Sequence, residues 1–159
     1  MGVRFTVNGA EREVDAAEDS PLIYALRNSL GLKGTRFGCG ADQCGACYVL
    51  LDDRAVPACD TPLWAAAGKR VTTVEGLGTP EHPHPLQRAF LAEQAAQCGY
   101  CSSGILIASA ALLRHNPDPS DTQVREALDR HLCRCGTHNR IVRAVLRAAR
   151  EMREQAGAA

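Results

Sequence analysis

Apolar residues alternate at the start of the chain. Val3, Phe5 and Val7 are separated by Arg4 and Thr6, the period of a strand with one buried face. Asn8-Gly9 follows, a strong signal for a tight hairpin turn. Glu11 to Val14 reads as the returning strand. Ser20-Pro21 then offers an N-cap and a proline at the first helical position. Leu22, Ala25, Leu26, Ser29 and Leu30 keep helical spacing until Gly31 ends the run. Tyr48-Val49-Leu50-Leu51 is apolar enough for a central strand, Asp52-Asp53 turns it, and Arg54 to Cys59 returns. Thr61-Pro62 repeats the cap-plus-proline device for a short helix through Trp64 to Ala67, and Arg70 to Val74 is a last strand.

This order predicts a small mixed sheet wrapped around one helix, the layout of a β-grasp domain over residues 1–76. Residues 77–85 form a linker: the stretch EGLGTPEHPHP, from Glu75 to Pro85, holds three prolines and two glycines. His82 and His84 lie in it and read as parts of a solvated connector rather than as metal ligands. After it the apolar period becomes helical. Leu86, Ala89 and Phe90 begin one helix, and Gly104 to Arg114 make a second. Val124, Ala127 and Leu128 make a third, capped by Asp121 or Thr122. Asn139 to Met152 make a fourth, with Ile141, Val142, Val145, Leu146 and Ala149 along one face. Four helices with short connections predict a four-helix bundle over 86–159. The fold class is therefore α+β, and Gln155 to Ala159 should fray.

The chemistry lies in eight cysteines. Cys39, Cys44, Cys47 and Cys59 follow the plant-type C-x4-C-x2-C…C spacing of a [2Fe–2S] cluster. Cys98 and Cys101, then Cys133 and Cys135, each stand immediately before a predicted helix. Free N–H groups and the positive end of the helix dipole favour an anion there, and a thiolate-ligated cluster is an anion. Two facing helix starts would hold a second [2Fe–2S] cluster between them. Disulfides fit less well. Eight cysteines in 159 residues fall below the roughly 8–10% of disulfide scaffolds, and three of them crowd into Cys39 to Cys47. Zinc prefers two C-x2-C knuckles, which the first group lacks.

Charge narrows the partners. Eighteen Lys and Arg balance eighteen Asp and Glu, which removes the electrostatic case for nucleic acid or an anionic membrane. No apolar run reaches the roughly 18 residues of a membrane span, and the start has no signal-peptide pattern. The expectation is a cytoplasmic protein, where thiols stay reduced and serve as metal ligands.

Phe37-Gly38-Cys39-Gly40, Cys44-Gly45-Ala46-Cys47, Gln97-Cys98-Gly99-Tyr100-Cys101 and Leu132-Cys133-Arg134-Cys135 together resemble the small iron–sulfur subunit of the molybdenum hydroxylases, the xanthine oxidase group. The resemblance covers about residues 3 to 150. It implies a ferredoxin-like domain followed by a helical one. It also implies a large partner subunit that holds molybdenum on a pyranopterin, often as a cytosine dinucleotide, and hydroxylates a heterocycle or an aldehyde. Electrons would pass singly through the cluster of Cys98, Cys101, Cys133 and Cys135, then through that of Cys39, Cys44, Cys47 and Cys59, to a flavin subunit or a cytochrome. Gln97 and Cys135 match family positions that contact the pterin. Gly136-Thr137-His138-Asn139-Arg140-Ile141 looks like the isoquinoline and nicotinate dehydrogenase branch. A free-standing ferredoxin-like carrier or redox sensor is the alternative, though the helical half exceeds what a simple carrier needs.

Several neighbours of the cysteines have plainer readings. Arg36 and Arg134 are surface arginines that could offset cluster charge. Ser102 and Ser103 are placed to cap a helix. Phe37, Trp64 and Tyr100 read as packing or interface residues, and His138 as a cap or packing residue at the fourth helix start, with contact to the pterin or the partner as its alternative.

Overall fold

The computed structural model describes residues 2–158. Its first half is a five-stranded mixed sheet. β1 (Val3–Val7) and β2 (Ala10–Val14) pair antiparallel, with Val3 opposite Val14 and Val7 opposite Ala10. Asn8 and Gly9 both adopt positive φ, the backbone that a two-residue I′ turn requires. β3 (Tyr48–Leu51) and β4 (Arg54–Pro57) form the second hairpin, and β5 (Arg70–Thr72) lies between the two hairpins, giving the order β2-β1-β5-β3-β4. β5 runs parallel to β1 and antiparallel to β3.

The apolar face of this sheet closes on α1 (Leu22–Tyr24) and the turn after it. Val3, Phe5, Val7, Val49 and Val71 bury against Leu22, Ile23, Leu26 and Leu63. The sequence predicts one helix to Leu30. The chain makes a single α turn and then widens into a π turn over Ala25–Ser29, where the Leu30 N–H reaches the Ala25 carbonyl at 3.0 Å. Over so few residues the apolar spacing is the same for both forms. Ser20 does not cap it: its hydroxyl donates to the Ala17 carbonyl at 2.6 Å, and Pro21 holds the cap position. Thr61 likewise donates to Pro57 at 2.8 Å, and a 3₁₀ turn over Leu63–Ala66 replaces the predicted short helix.

Val74–Gly76 make one 3₁₀ turn, and no regular element follows until α2 (Pro85–Ala92). His84 has a structural task here. Its Nδ1 accepts the Leu86 N–H at 3.2 Å, while its own N–H donates to Gln87 Oε1 at 2.8 Å, a capping box. α3 (Ser102–His115), α4 (Asp121–Ala127) and α5 (His138–Gly157) complete the second half. Ser120, rather than Asp121 or Thr122, caps α4, with Gln123 closing the box. α5 runs on to Gly157, past the expected fraying point at Gln155; Ala159 lies outside the described residues.

α3 is buried nearly all round, from Ser103 to Ala111 and again at Leu113. An all-round apolar helix belongs in an interior, and here it has two cores to serve. Ile105, Leu106, Ala108 and Leu113 join Leu86, Phe90, Val124, Ile141 and Val145. Ile107 and Ala111 turn the other way and meet Leu50 of β3. The sheet half and the helical half are therefore packed directly on one another.

Candidate metal centre

Three cysteines of the first group, Cys39, Cys44 and Cys47, lie on the loop between the π turn and β3, and the fourth, Cys59, follows β4. The group's thiols stand in pairs. The Cys39 thiol is within hydrogen-bonding reach of Cys44, and that of Cys47 within reach of Cys59. Backbone N–H groups aim at the sulfurs: Gln43 at Cys39 Sγ (3.2 Å), Ala41 at Cys39 Sγ (3.4 Å), Cys39 at Cys44 Sγ (3.4 Å) and Cys59 at Cys47 Sγ (3.4 Å). A Cβ on Gly38 would stand 2.5 Å from Cys44 Sγ, so only glycine lets the loop close over that thiol.

The electrostatics follow from the same contacts. The Ala41 and Gln43 N–H groups hold the exposed Cys39 thiol down at about 7. Burial pushes Cys47 up to about 12. Stable charge on the inner pair needs a cation beside it, since a buried thiolate without one is costly.

The second group sits where α3 and α5 begin. Its pairing crosses between the two motifs: Cys98 reaches Cys135, and Cys101 reaches Cys133. The Tyr100 N–H, followed by Cys135, lowers the exposed Cys98 thiol. Burial pushes Cys101 up to about 12. Burial acts against Cys133 most strongly, yet the Thr137 hydroxyl at 3.4 Å and its N–H, together with Cys101 and the Cys135 N–H, outweigh it and hold the thiol at about 7. All eight cysteines are free.

Among the described residues no group of three or more His, Cys, Asp or Glu side chains converges on a point where one metal ion could sit. The thiols stand in twos instead. A binuclear [2Fe–2S] centre asks for two thiolates at each iron, and two such pairs per group, capped by N–H donors, suit that donor set.

The other expected residues fall into place around these groups. Gln97 is exposed. Because Cys98 faces Cys135, Gln97 and Cys135 lie at the same end of the second group. His138 opens α5, and its Nε2 is 3.2 Å from the His131 carbonyl, as a packing residue would be. Arg36 lies over the Tyr100 ring at 5.7 Å. Ser102 and Ser103 do not cap α3 by their side chains, and Ser103 is buried instead. Trp64 is exposed on the far 3₁₀ turn.

His131 escapes sequence reasoning. It is 3% exposed, packs edge-on to Tyr48 at 4.6 Å, and covers Gly45 of the first cysteine loop. Burial pushes its pKa down to about 4, so the ring is neutral. A single histidine ahead of Leu132-Cys133 carries no periodic signal that marks it as a seam residue.

Two family models cover most of the chain: a 2Fe-2S iron–sulfur cluster binding domain over residues 5–73 and a [2Fe–2S] binding domain over residues 73–146. One of the subunits of nicotinate dehydrogenase from Pseudomonas putida is 51% identical, with 96% of this chain and 97% of that one aligned. The alpha chain of isoquinoline 1-oxidoreductase from Brevundimonas diminuta is also 51% identical, over 94% and 98%. Among solved structures, aldehyde oxidoreductase of Desulfovibrio gigas superposes with a TM-score of 0.94 at 40% identity. The match covers 98% of this chain but spans only 17% of that protein's length. Quinoline 2-oxidoreductase of Pseudomonas putida matches with a TM-score of 0.91 at 36% identity, over 97% of this chain and 96% of the matched chain.

Proposed function

The chain belongs to the iron–sulfur subunits of the xanthine oxidase family of molybdenum hydroxylases, and on that premise we propose the residues and partners through which it works in electron transfer. Cys39, Cys44, Cys47 and Cys59 hold one [2Fe–2S] cluster, and Cys98, Cys101, Cys133 and Cys135 hold the other. The observation that carries this assignment is the pairing of the eight thiols, two and two in each group. Bound there, such clusters take up and release single electrons.

The chain's own residues set the conditions. Gln43, Ala41 and Cys59 direct N–H groups at ligand sulfurs, and such bonds raise a cluster's reduction potential by favouring the added electron. Cys47 and Cys59 are buried while Cys39 and Cys98 are exposed, so each centre has an outward end on the Cys39 or Cys98 side. Gln97 and Cys135 face a molybdopterin, in its cytosine dinucleotide form, on a large partner subunit. A flavin subunit or a cytochrome takes the electrons. The likeness to nicotinate dehydrogenase, to isoquinoline 1-oxidoreductase and to quinoline 2-oxidoreductase supports an N-heterocycle as the substrate of the complex.

In this reading the sheet half, 1–76, is a β-grasp domain, 77–85 is the linker, and 86–159 is a four-helix bundle. Eight free thiols suit the reducing cytoplasm, and no helix among the described residues is long and apolar enough to cross a membrane. Iron and acid-labile sulfide analysis of anaerobically purified protein tests the assignment. About four of each per chain are expected; about two, or none, overturns it. Co-purification of a molybdenum-containing large chain separates this role from that of a free-standing carrier.

A further inference from the structure

The two cysteine groups come from halves with separate cores, yet their loops interlock. Gly45, between Cys44 and Cys47, meets Gly104, three residues after Cys101. A Cβ on Gly104 would collide with the Gly45 carbonyl oxygen and crowd Ala46 behind it. These are backbone atoms, which have nowhere to turn aside. On the same seam the Tyr100 hydroxyl donates to the Phe37 carbonyl. Tyr100 stands between Cys98 and Cys101, and Phe37 two residues before Cys39. Both contacts therefore join residues beside the ligands of one group to residues beside the ligands of the other.

We propose that the Gly45–Gly104 approach and the Tyr100–Phe37 hydrogen bond fix the separation of the two centres, making Gly104 and Tyr100 positioning residues for electron exchange between them. The inference rests on the reading of both groups as [2Fe–2S] sites. The outer ion pair on this seam, Arg130 to Asp42 at 2.9 Å, involves a guanidinium side chain that is 69% exposed, and pairs of that kind contribute little. The other two contacts differ in kind: Gly45–Gly104 is backbone on backbone, and the Tyr100–Phe37 bond, although exposed, ends on a backbone carbonyl. A glycine-to-glycine approach leaves no slack, and a hydroxyl on a rigid ring has one reach. Electron exchange falls exponentially with separation, so a small shift at the seam has a large kinetic effect.

The test uses the iron-loaded complex with Gly104→Ala and Tyr100→Phe, the second removing one oxygen and adding nothing. Iron and sulfide content are measured first. The spin–spin splitting between the two reduced centres, which falls as the cube of their separation, is then read at low temperature. Electron equilibration between the centres after pulsed reduction is followed alongside. Both variants are expected to keep wild-type iron, to show a reduced splitting and to equilibrate more slowly. A residue with only a general structural role would lower thermal stability and leave the splitting alone. If Gly104→Ala fails to load iron, Tyr100→Phe decides. Unchanged splitting and equilibration in either iron-replete variant overturn the inference. Colourless wild-type protein would instead overturn the cluster assignment, and this inference with it.

Discussion

The Cys101 thiol is within hydrogen-bonding reach of Cys133, from the other helix start, while Cys98 of its own short motif reaches Cys135. The second cysteine group thus consists of two mixed pairs, each with one thiol from the start of α3 and one from the start of α5. Neither helix start can make a pair without the other.

This pairing predicts which ligand mutants resemble one another. Cys101→Ser and Cys133→Ser should perturb the same iron and give matching spectra. Cys98→Ser and Cys135→Ser should give a second, different pair of matching spectra. Electron paramagnetic resonance of the reduced variants reads this directly; a match of Cys98→Ser with Cys101→Ser would contradict the crossed arrangement. Cys44→Ser, in the other half, should cost only the first centre, about half of the total iron, and block delivery to the external acceptor.

His84 predicts a pH dependence of stability. Burial, with Arg114 and Arg88 nearby, holds its ring neutral below the usual histidine range, and the neutral Nδ1 is the acceptor that caps α2. Protonation favours the unfolded chain, so this contribution is complete above the ordinary histidine value of about 6.5. It drains away as pH falls below that value toward the lowered one. Urea midpoints should drop more between about pH 7.5 and pH 5.5 for wild type than for His84→Asn, which caps without titrating. Parallel curves would rule the effect out. His84→Ala should cost about 1 kcal/mol at neutral pH.

The core shared by the halves predicts coupling across them. Leu50 of β3 and Ile107 of α3 are 1% and 0% exposed and belong to one cluster. Leu50→Ala and Ile107→Ala should each cost about 2–5 kcal/mol. Their double-mutant cycle should show a coupling of about 0.5–3 kcal/mol. Strict additivity in denaturant unfolding would mean that the halves do not sense one another through this contact.

Gln97 predicts the opposite pattern. It is exposed, so Gln97→Ala should change stability by less than about 0.5 kcal/mol and leave both centres filled. Reduction of the centres by substrate in the full complex should slow. Unchanged reduction kinetics would remove Gln97 from the bridge to the pterin.

Much of the fold is legible in the residues themselves. Alternation at Val3, Phe5 and Val7 marks β1, Asn8-Gly9 marks its turn, and the helical period from Ile141 to Ala149 marks α5. These signals are local, set by backbone preference and by which face an element buries. Caps are less legible. Ser20, Thr61, Asp121 and Thr122 all suit the role by type, yet Ser120 and His84 do the capping, because a side chain caps only where the incoming backbone aims it. The π turn at Ala25–Ser29 leaves no trace in the sequence, since its apolar spacing matches a helix over one turn.

The candidate site divides in the same way. Cysteine spacing marks the short motifs Cys39 to Cys47, Cys98 to Cys101 and Cys133 to Cys135, because ligands on one loop lie within a few residues of each other. Which thiol pairs with which is beyond it, since Cys98 meets Cys135 only after α3 and α5 have packed. The role of Gly45 changes too. On sequence it is only part of the Cys44–Cys47 motif; in the fold it accommodates His131 and approaches Gly104 from the other half. Spacing along a chain reports what neighbours can do together, and so determined the elements, the donor atoms and the family. Packing brings distant residues to one point, and it alone decided the pairs, the buried His131 and the seam that joins the two centres.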